Sequence, residues 1–306
     1  KMDRESRDPF DLLDEIEKTL ALDTTPMTWP VGRGRDFIGT YDIATGGIRL
    51  LDGDGAKTGA PQKIAIETLA AKNPNLDAAA IKEELELVSE ACKPFDLDAF
   101  REGHLTPVFF GSAESDGGIT RLWKALRHDV PEPAAAAARL GFANGGAPVA
   151  RVFKTQHAAH AGKLSWSRVL RGEFAGAQAL AGGKVSGVCA PGLGNPAKVA
   201  KAGLGDLVAF GKLDNAATGM VLGGDGQTGT PWPAPLDPLF AMALEAEKKG
   251  DDVKLSGALT KLVEEDPSYR LEQNAEFGET VLWGQGEIHL MVAFERLKSR
   301  FGMGVV

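Results

Sequence analysis

Two proline-rich breaks divide this chain into three stretches, and the pattern of apolar residues differs in each. Pro131-Glu132-Pro133 leads into five alanines and then glycine and asparagine up to Pro148, and Pro231-Trp232-Pro233-Ala234-Pro235 forms the second break. Proline removes a backbone donor and fixes φ, so neither break continues a helix or a central strand. We therefore predict domains over residues 1–133, 148–233 and 234–306, with a linker over 134–147.

The length of 306 residues supports this division, because one hydrophobic core rarely serves a chain of that size. No run of about 18 apolar residues is present, and the N-terminus, Lys1 to Glu5, is too charged for a secretory signal. Cys92 and Cys189 lie far apart, without a partner at metal-ligand spacing. We therefore expect free thiols, no metal site, no membrane contact and a cytoplasmic location.

The charge is uneven along the chain. Residues 148–235 carry nine Lys and Arg against four Asp and Glu, a net charge of +5, although the whole chain has a net charge of -8. A basic module between acidic ones can place one face against phosphate. Chance asymmetry explains the same count equally well, so composition alone leaves both interpretations open.

The first stretch has the pattern of an α/β domain. Helical spacing predicts helices over 8–22 and about 77–91, the first capped by Asp8 and Pro9. Strands are expected at Met27–Trp29, Phe37–Tyr41 and Thr106–Phe110, a Gly-Asp hairpin region at 46–60, and a helical repeat at 119–126.

The second stretch alternates apolar and polar residues in short glycine-rich strands, which is typical of a small β-barrel. The third stretch predicts a strand at 239–245, a helix at 252–264, strands at 269–273 and 280–284, a helix at 287–301 and a last strand from Met303. This is the order of a ferredoxin-like split β-α-β unit cut at or before its last strand. The stripes Val253, Leu255, Leu259, Leu262, Val263 and Phe294, Leu297, Phe301 are expected to be core.

Two separated segments resemble the guanine-recognition loops of translational GTPases. Lys1-Met2-Asp3, before the Asp-Pro-capped helix, is similar to the last three residues of Asn-Lys-x-Asp, and Gly111-Ser112-Ala113 resembles the second base-contacting loop. The resemblance implies that Lys1, Asp3, Ser112 and Ala113 bind guanine, since one carboxylate can accept both N–H donors on a guanine edge. A frayed terminus and an ordinary turn are the structural alternatives.

The phosphate-binding loop is absent from the printed sequence. No Gly-x-x-x-x-Gly-Lys-Ser/Thr occurs, so the chain has no cradle for phosphates and no hydroxyl for magnesium. We therefore interpret the chain as a fragment with a partial P-loop GTPase domain. We expect GTP or GDP and Mg²⁺ to bind only the intact parent, and we predict no catalytic residue, no activity and no cofactor here.

The family resemblance has two branches. The resemblance implies that residues 34–105 are an insertion in the G domain. Four segments look closer to the third peptide-chain release factor: Arg7-Asp8-Pro9, Thr28-Trp29-Pro30, Phe37 to Tyr41 and Glu84 to Val88. Leu262 to Arg270, Glu279 to Leu290 and Glu295 to Phe301 resemble the third domain of elongation factor G. That family usually has Glu where this chain has Met291, so this position departs from the family's pattern.

The middle stretch is similar to the β-barrel second domain of these factors through Phe153-Lys154-Thr155 and Gly162 to Val169. Its candidate contacts to ribosomal RNA backbone are Lys154, Lys163, Arg168, Arg171 and Lys184; each could equally be a solvated barrel position. His157 and His160 lack a third ligand, so we interpret them as surface residues. Glu287 and His289, at i, i+2, do not share a helix face, which favours a structural role.

The resemblance implies an elongation factor G-like protein that couples GTP hydrolysis to movement on the ribosome. A release-factor type that recycles termination factors is the sibling alternative, and an RNA- or protein-binding module without a nucleotide role is the alternative from another class. The expected partners are ribosomal RNA, ribosomal proteins and GTP or GDP. We expect a monomer.

Overall fold

The chain folds as two units, Lys1–Pro131 and Glu132–Val306, in the computed structural model. The structure describes residues 1–51, 66–72, 75–142, 145–158, 161–176, 179–180, 183–184, 187–192, 196–224, 226–248, 250–274 and 279–306. His160 and most of the hairpin region predicted at 46–60 therefore lie outside the described residues.

The first unit combines helices with a mixed sheet. Its elements are α1 (Pro9–Leu20), β1 (Thr24–Val31), a short 3-10 helix (Gly34–Asp36), β2 (Gly39–Asp42), β3 (Gly47–Leu50), α2 (Ile66–Lys72), α3 (Ala78–Ala91), α4 (Leu97–Glu102), β4 (Thr106–Phe109) and α5 (Ile119–His128). The sheet order is β3-β2-β1-β4, and only the β1–β4 pair is parallel. The strands β2 and β3, which belong to the predicted insertion over 34–105, extend the same sheet as β4.

The core of the first unit forms around Trp29. Every residue of β1 is buried, and Trp29 is fully enclosed between the rings of Phe10 and Phe110, at centroid distances of 4.6 and 5.3 Å. The indole Nε1 donates to Glu84 on α3 at 3.0 Å, and Arg33 pairs with the same carboxylate at 2.7 Å. Aromatic packing and a satisfied indole N–H together fix α1 and α3 against β1.

The second unit begins with a helix where the sequence predicts a linker over 134–147. The helix α6 (Pro133–Arg139) starts with proline at its first position and continues with alanine, the strongest helix former. Ala137 and Phe142 are buried with Val149 and Leu170. This packing holds α6 and the residues just after it against the strands that contain Val149 and Leu170.

Residues 148–235, here called the β-rich segment, form one large sheet and small ribbons. Its strands are β5 (Val149–Ala158), β6 (Gly162–Arg171), β7 (Phe174–Ala175), β8 (Ala179–Leu180), β9 (Gly183–Lys184), β10 (Val188–Ala190), β11 (Ala197–Val199), β12 (Lys201–Ala202), β13 (Leu207–Gly211) and β14 (Val221–Gly223). The large sheet has the order β11-β10-β13-β6-β5-β14. Its core contains Val152, Val169, Phe174, Phe210 and Leu222.

Residues 236–306, here called the C-terminal segment, follow the predicted order of elements. They form β15 (Phe240–Leu244), α7 (Asp252–Glu265), β16 (Arg270–Asn274), β17 (Glu279–Gly284) and α8 (Glu287–Phe301). The sheet order is β15-β17-β16, and Val305 forms a bridge to Ala246 beside β15, where the last strand is predicted.

The helices of the C-terminal segment bury the faces that pack on its sheet. Leu255, Ala258, Leu259 and Leu262 of α7 are buried, but Val253 is 85% exposed, so its assignment to the core stripe is wrong. Val253 lies about 200° around the helix from Leu255 and faces the opposite side. On α8, Leu297 is buried, and Phe294 and Phe301 pack at the edge of the core.

Candidate functional site

The first residues of the chain pack directly on the loop that follows β4. The backbone N–H of Met2 donates to the carbonyl of Gly111 at 3.1 Å, and the N-terminal amine of Lys1 reaches the same oxygen at 3.1 Å. Met2 is buried, and Arg4 forms an ion pair with Glu114 at 3.0 Å. Segments that the sequence separates by about a hundred residues are therefore in contact in the folded first unit.

A tight loop shape holds Ser112 in place. The Ser112 N–H donates to the carbonyl of Gly117 at 2.9 Å, and the Thr28 hydroxyl donates to the carbonyl of Phe110 at 2.9 Å. A Cβ on Gly111 would lie 2.2 Å from the Gly117 oxygen, so no larger residue fits there without a shift. The close approach of these two backbone segments therefore requires glycine at position 111.

Asp3 has an unused acceptor in this site. Its Oδ1 atom is buried and makes no hydrogen bond to any residue that the structure describes. Ser112 acts as a hydrogen-bond donor that holds the pKa of the Asp3 carboxyl below its usual value, so the group is ionised at neutral pH. A buried carboxylate oxygen without a partner costs free energy, which a ligand with N–H donors recovers.

Ala113 and Lys1 lie at the open side of this site. Both are exposed. The backbone N–H of Ala113 and the aliphatic stem of Lys1 are groups that a planar ring could contact from its edge and from its face. The predicted residues Lys1, Asp3, Ser112 and Ala113 are thus neighbours in the folded first unit.

The five basic residues that are predicted to contact ribosomal RNA have different surroundings. Lys154 on β5 and Arg168 on β6 are exposed. Lys163 is only 8% exposed, donates to the carbonyl of Asp214 at 2.7 Å and pairs with Glu264 at 3.2 Å. Arg171 is 5% exposed and donates to the carbonyl of Ala147 and to Gln227. Lys184 lies in β9, and its side chain is outside the described part of the chain.

His157 joins the β-rich segment to the C-terminal segment. Its Nε2 lies 2.7 Å from Glu264, its backbone N–H donates to Glu265 at 2.6 Å, and its carbonyl accepts from Arg300 at 2.8 Å. Arg300 also pairs with both oxygens of Glu265, at 2.6 and 2.8 Å. The interpretation of His157 as a surface residue is therefore wrong, because more than a hundred residues separate it from its partners and no local pattern shows them.

His289 has the structural role that the sequence predicts. Its Nδ1 accepts from the backbone N–H of Gln285 at 3.1 Å, its Nε2 lies 3.3 Å from Asp266, and its ring stacks on Tyr269 at 3.9 Å between centroids. The Tyr269 hydroxyl donates to the His289 carbonyl at 2.9 Å. Burial, with the charge of Asp266 nearby, raises the pKa of Tyr269 to about 12.

Among the described residues, no group of three or more His, Cys, Asp or Glu side chains could hold a metal ion. No helix among the described residues is both long and apolar enough to cross a bilayer. Cys92 and Cys189 are free, as predicted.

The third stretch of the chain matches a known domain. The family model for elongation factor G, domain III, covers residues 236–306. An elongation factor G-like protein of Synechocystis sp. is 34% identical over 100% of this chain and 48% of its own length. A peptide chain release factor 3 of Bordetella pertussis is 31% identical over 99% of this chain and 59% of its own length.

Structural similarity extends over nearly the whole chain. A crystal structure of ttk003000868 from Thermus thermophilus covers 98% of this chain and 47% of its own, with a TM-score of 0.74 and 28% identity. The chain spans about half to three fifths of the length of the curated relatives that it matches along its whole length. Its homologues are thus elongation factor G-like proteins and peptide chain release factor 3, and its residues 236–306 match elongation factor G, domain III.

Proposed function

We propose that this chain is part of a ribosome-dependent translational GTPase that resembles elongation factor G, in which GTP hydrolysis drives movement on the ribosome. The buried, unpartnered Oδ1 of Asp3 beside the Ser112 loop carries this proposal. It is supported by relatives named elongation factor G-like protein and peptide chain release factor 3. In this assignment residues 1–133 belong to a P-loop GTPase domain with an insertion, 148–233 to a β-barrel and 234–306 to a ferredoxin-like domain.

Guanine fits the donors and acceptors of the proposed base site. The ionised Asp3 carboxylate accepts the two N–H groups on one edge of the base, and the hydrogen bond from Ser112 lowers the pKa of that carboxyl further. The backbone N–H of Ala113 donates to the exocyclic oxygen, and the stem of Lys1 covers the ring. Adenine presents no matching pair of donors, so the site selects guanine by a difference in satisfied hydrogen bonds.

Hydrolysis needs groups that the printed sequence does not contain. Bound Mg²⁺ would neutralise charge on the phosphates, and a phosphate-binding loop would hold both. No Gly-x-x-x-x-Gly-Lys-Ser/Thr occurs in these 306 residues, so their contribution to the proposed reaction is base selection. GTP or GDP with Mg²⁺ is therefore assigned to the whole protein.

The ribosome is the proposed partner, reached in part through the β-rich segment. Its net charge of +5 and the exposed side chains of Lys154 and Arg168 suit RNA phosphates, where each cation releases counterions. Lys163 and Arg171 have partners inside the protein, so their charge contributes to the field of this surface more than to direct contact. The proposed location is the cytoplasm.

The deciding experiment is complementation with the full-length gene. Rescue of cells depleted of elongation factor G supports the translocase function, and rescue only of cells that lack peptide chain release factor 3 assigns the release-factor type instead. The Asp3→Asn variant serves as the matched control, because it is expected to abolish rescue while preserving the fold. Rescue of neither strain, with the protein present on no ribosome fraction, would refute both functions.

A further inference from the structure

A short turn of the first unit contacts both segments of the base site. It consists of the 3-10 helix Gly34–Asp36 and the residue that ends it, Phe37, and is here called the insertion turn because it opens the proposed insertion over 34–105. The N–H of Gly34 donates to the carbonyl of Met2 at 2.8 Å, directly before Asp3 in the chain. The N–H of Phe37 donates back to the carbonyl of Gly34 at 3.2 Å. The turn therefore closes on itself and on the first base-recognition segment.

The ring of Phe37 packs on the second base-recognition segment. Phe37 is 6% exposed, and a Cβ on Gly117 would lie 3.0 Å from the nearest atom of its ring. The Gly117 carbonyl is the acceptor for the Ser112 N–H at 2.9 Å, the bond that closes this loop. Phe37 also belongs to the same buried cluster as Met2. The insertion turn thus reaches Asp3 through Met2, and it reaches Ser112 through Gly117.

Base selection depends on the separation of these two segments. The Asp3 carboxylate and the loop at Ser112 approach one planar ring from two sides, and hydrogen bonds weaken steeply when their distances or angles change. An ion pair between Arg4 and Glu114 also joins the segments, but its side chains are 65% and 72% exposed, so water screens the attraction. The buried insertion turn is the stronger constraint, because a close-packed interior transmits small displacements.

We propose that the insertion turn positions the guanine-binding residues, with Gly34 and Phe37 as positioning residues. The inference rests on the proposed guanine site and adds that the insertion takes part in nucleotide selection. Gly34 orients the backbone that carries Asp3, and Phe37 holds Gly117 and through it Ser112. By reciprocity, a partner that displaces the insertion turn changes the affinity for the nucleotide, and the nucleotide changes the affinity for that partner by the same factor.

The experiment compares the affinities of the whole protein for GTP and inosine triphosphate by calorimetric titration. Inosine keeps the exocyclic oxygen and ring N–H of guanine but lacks the 2-amino group, so the affinity ratio reports the alignment of the Asp3 carboxylate with that edge. Phe37→Ala is the test variant, and Phe37→Leu replaces it if the alanine variant unfolds. Ile48→Ala is the matched control, because Ile48 is also buried in the proposed insertion but belongs to a separate core cluster with Val31 and Ile81.

Gly34→Ala tests the other contact of the insertion turn independently. A Cβ at this position would lie 3.8 Å from the nearest described atom, so a methyl group has room. The φ angle of +58° is nevertheless strained for alanine, and relaxing it moves the N–H that bonds to the Met2 carbonyl. Gly34→Asn is the conservative variant, because asparagine tolerates the left-handed conformation better than alanine does.

We expect the wild type to prefer GTP over inosine triphosphate at least about tenfold, since one hydrogen bond to a charged carboxylate distinguishes the two bases. Phe37→Ala and Gly34→Ala should each reduce this ratio at least about threefold, Phe37→Leu and Gly34→Asn should reduce it less, and Ile48→Ala should preserve it. A purely structural role changes only the folded fraction, which scales both affinities equally and leaves the ratio unchanged.

Two results would overturn this inference alone: a wild-type ratio that persists in the folded Phe37 variants and in Gly34→Ala, or an equal fall of the ratio in Ile48→Ala. A wild-type protein that binds both nucleotides equally would instead refute the guanine site, and this inference with it.

Discussion

Glu265 is predicted to be the main electrostatic link between the β-rich segment and the C-terminal segment. Its side chain is 8% exposed, and it accepts from both terminal nitrogens of Arg300 and from the backbone N–H of His157. The isosteric change Glu265→Gln removes the charge and turns one oxygen into an NH₂ group that faces the Arg300 donors. It therefore breaks hydrogen bonds without leaving a cavity.

The expected loss follows from these contacts. Hydrogen bonds to charged groups contribute about 1.5–3 kcal/mol each, and Arg300, at 35% side-chain exposure, regains part of that from water. We expect the free energy of unfolding of the second unit to fall by about 2–3 kcal/mol, and its melting temperature by about 5–10 °C. Glu264→Gln is the matched control; its 38% exposed carboxylate should contribute at most about 1 kcal/mol.

The same contact predicts a pH dependence. Burial raises the pKa of Glu265, whereas the bonds from Arg300 and His157 lower it, and the net pKa lies below its usual value. A depressed carboxylate pKa contributes stability above the unfolded-state pKa, and this stability is lost as pH falls through the folded-state pKa. Calorimetric unfolding between neutral and acid pH should show the variant difference shrinking toward acid. Equal melting temperatures for Glu265→Gln and Glu264→Gln, or a difference that persists at acid pH, would refute this reasoning.

Three further predictions concern the base site, the basic surface and the aromatic stack. Asp3→Asn in the whole protein should weaken GTP binding at least about a hundredfold, because two charge-assisted hydrogen bonds are lost. It should improve binding of xanthosine triphosphate, whose base offers an acceptor at that position. Nucleotide titration measures the ratio of the two affinities, and an unchanged ratio contradicts the assignment. The double change Lys154→Glu, Arg168→Glu should weaken ribosome binding and reduce the magnitude of the slope of log affinity against log salt concentration by at least about 1.5. Sedimentation over a series of salt concentrations measures this slope. An unchanged slope would show that this surface is not part of the interface. Tyr269→Phe should lower the free energy of unfolding by about 1 kcal/mol and remove the tyrosine that titrates near pH 12 in ultraviolet absorbance. In the wild type, the stability from this group holds below pH 10 and is lost between pH 10 and 12; titration of Tyr269 without a raised pKa would be inconsistent with its burial.

The local sequence pattern was sufficient to predict those helices that are long and have periodic apolar residues. The helices α1, α3, α7 and α8 begin and end within a few residues of their predicted limits, because caps and apolar spacing are properties of neighbouring residues. The segment after Pro133 shows the limit of that approach. Its composition indicates a linker, yet alanine also favours a helix, and the burial of Ala137 and Phe142 decided between them.

The sequence by itself determined the order of elements, the resemblance of Lys1–Asp3 and Gly111–Ala113 to one site, and the concentration of positive charge in residues 148–235. Tertiary structure alone decided which of those charges are available. Lys154 and Lys163 lie on neighbouring strands and look alike in sequence, but Lys163 is held by Glu264 from another segment. The pairing of His157 with Glu265 arises in the same way. Burial and partners depend on residues far along the chain, and spacing within one strand carries no information about them.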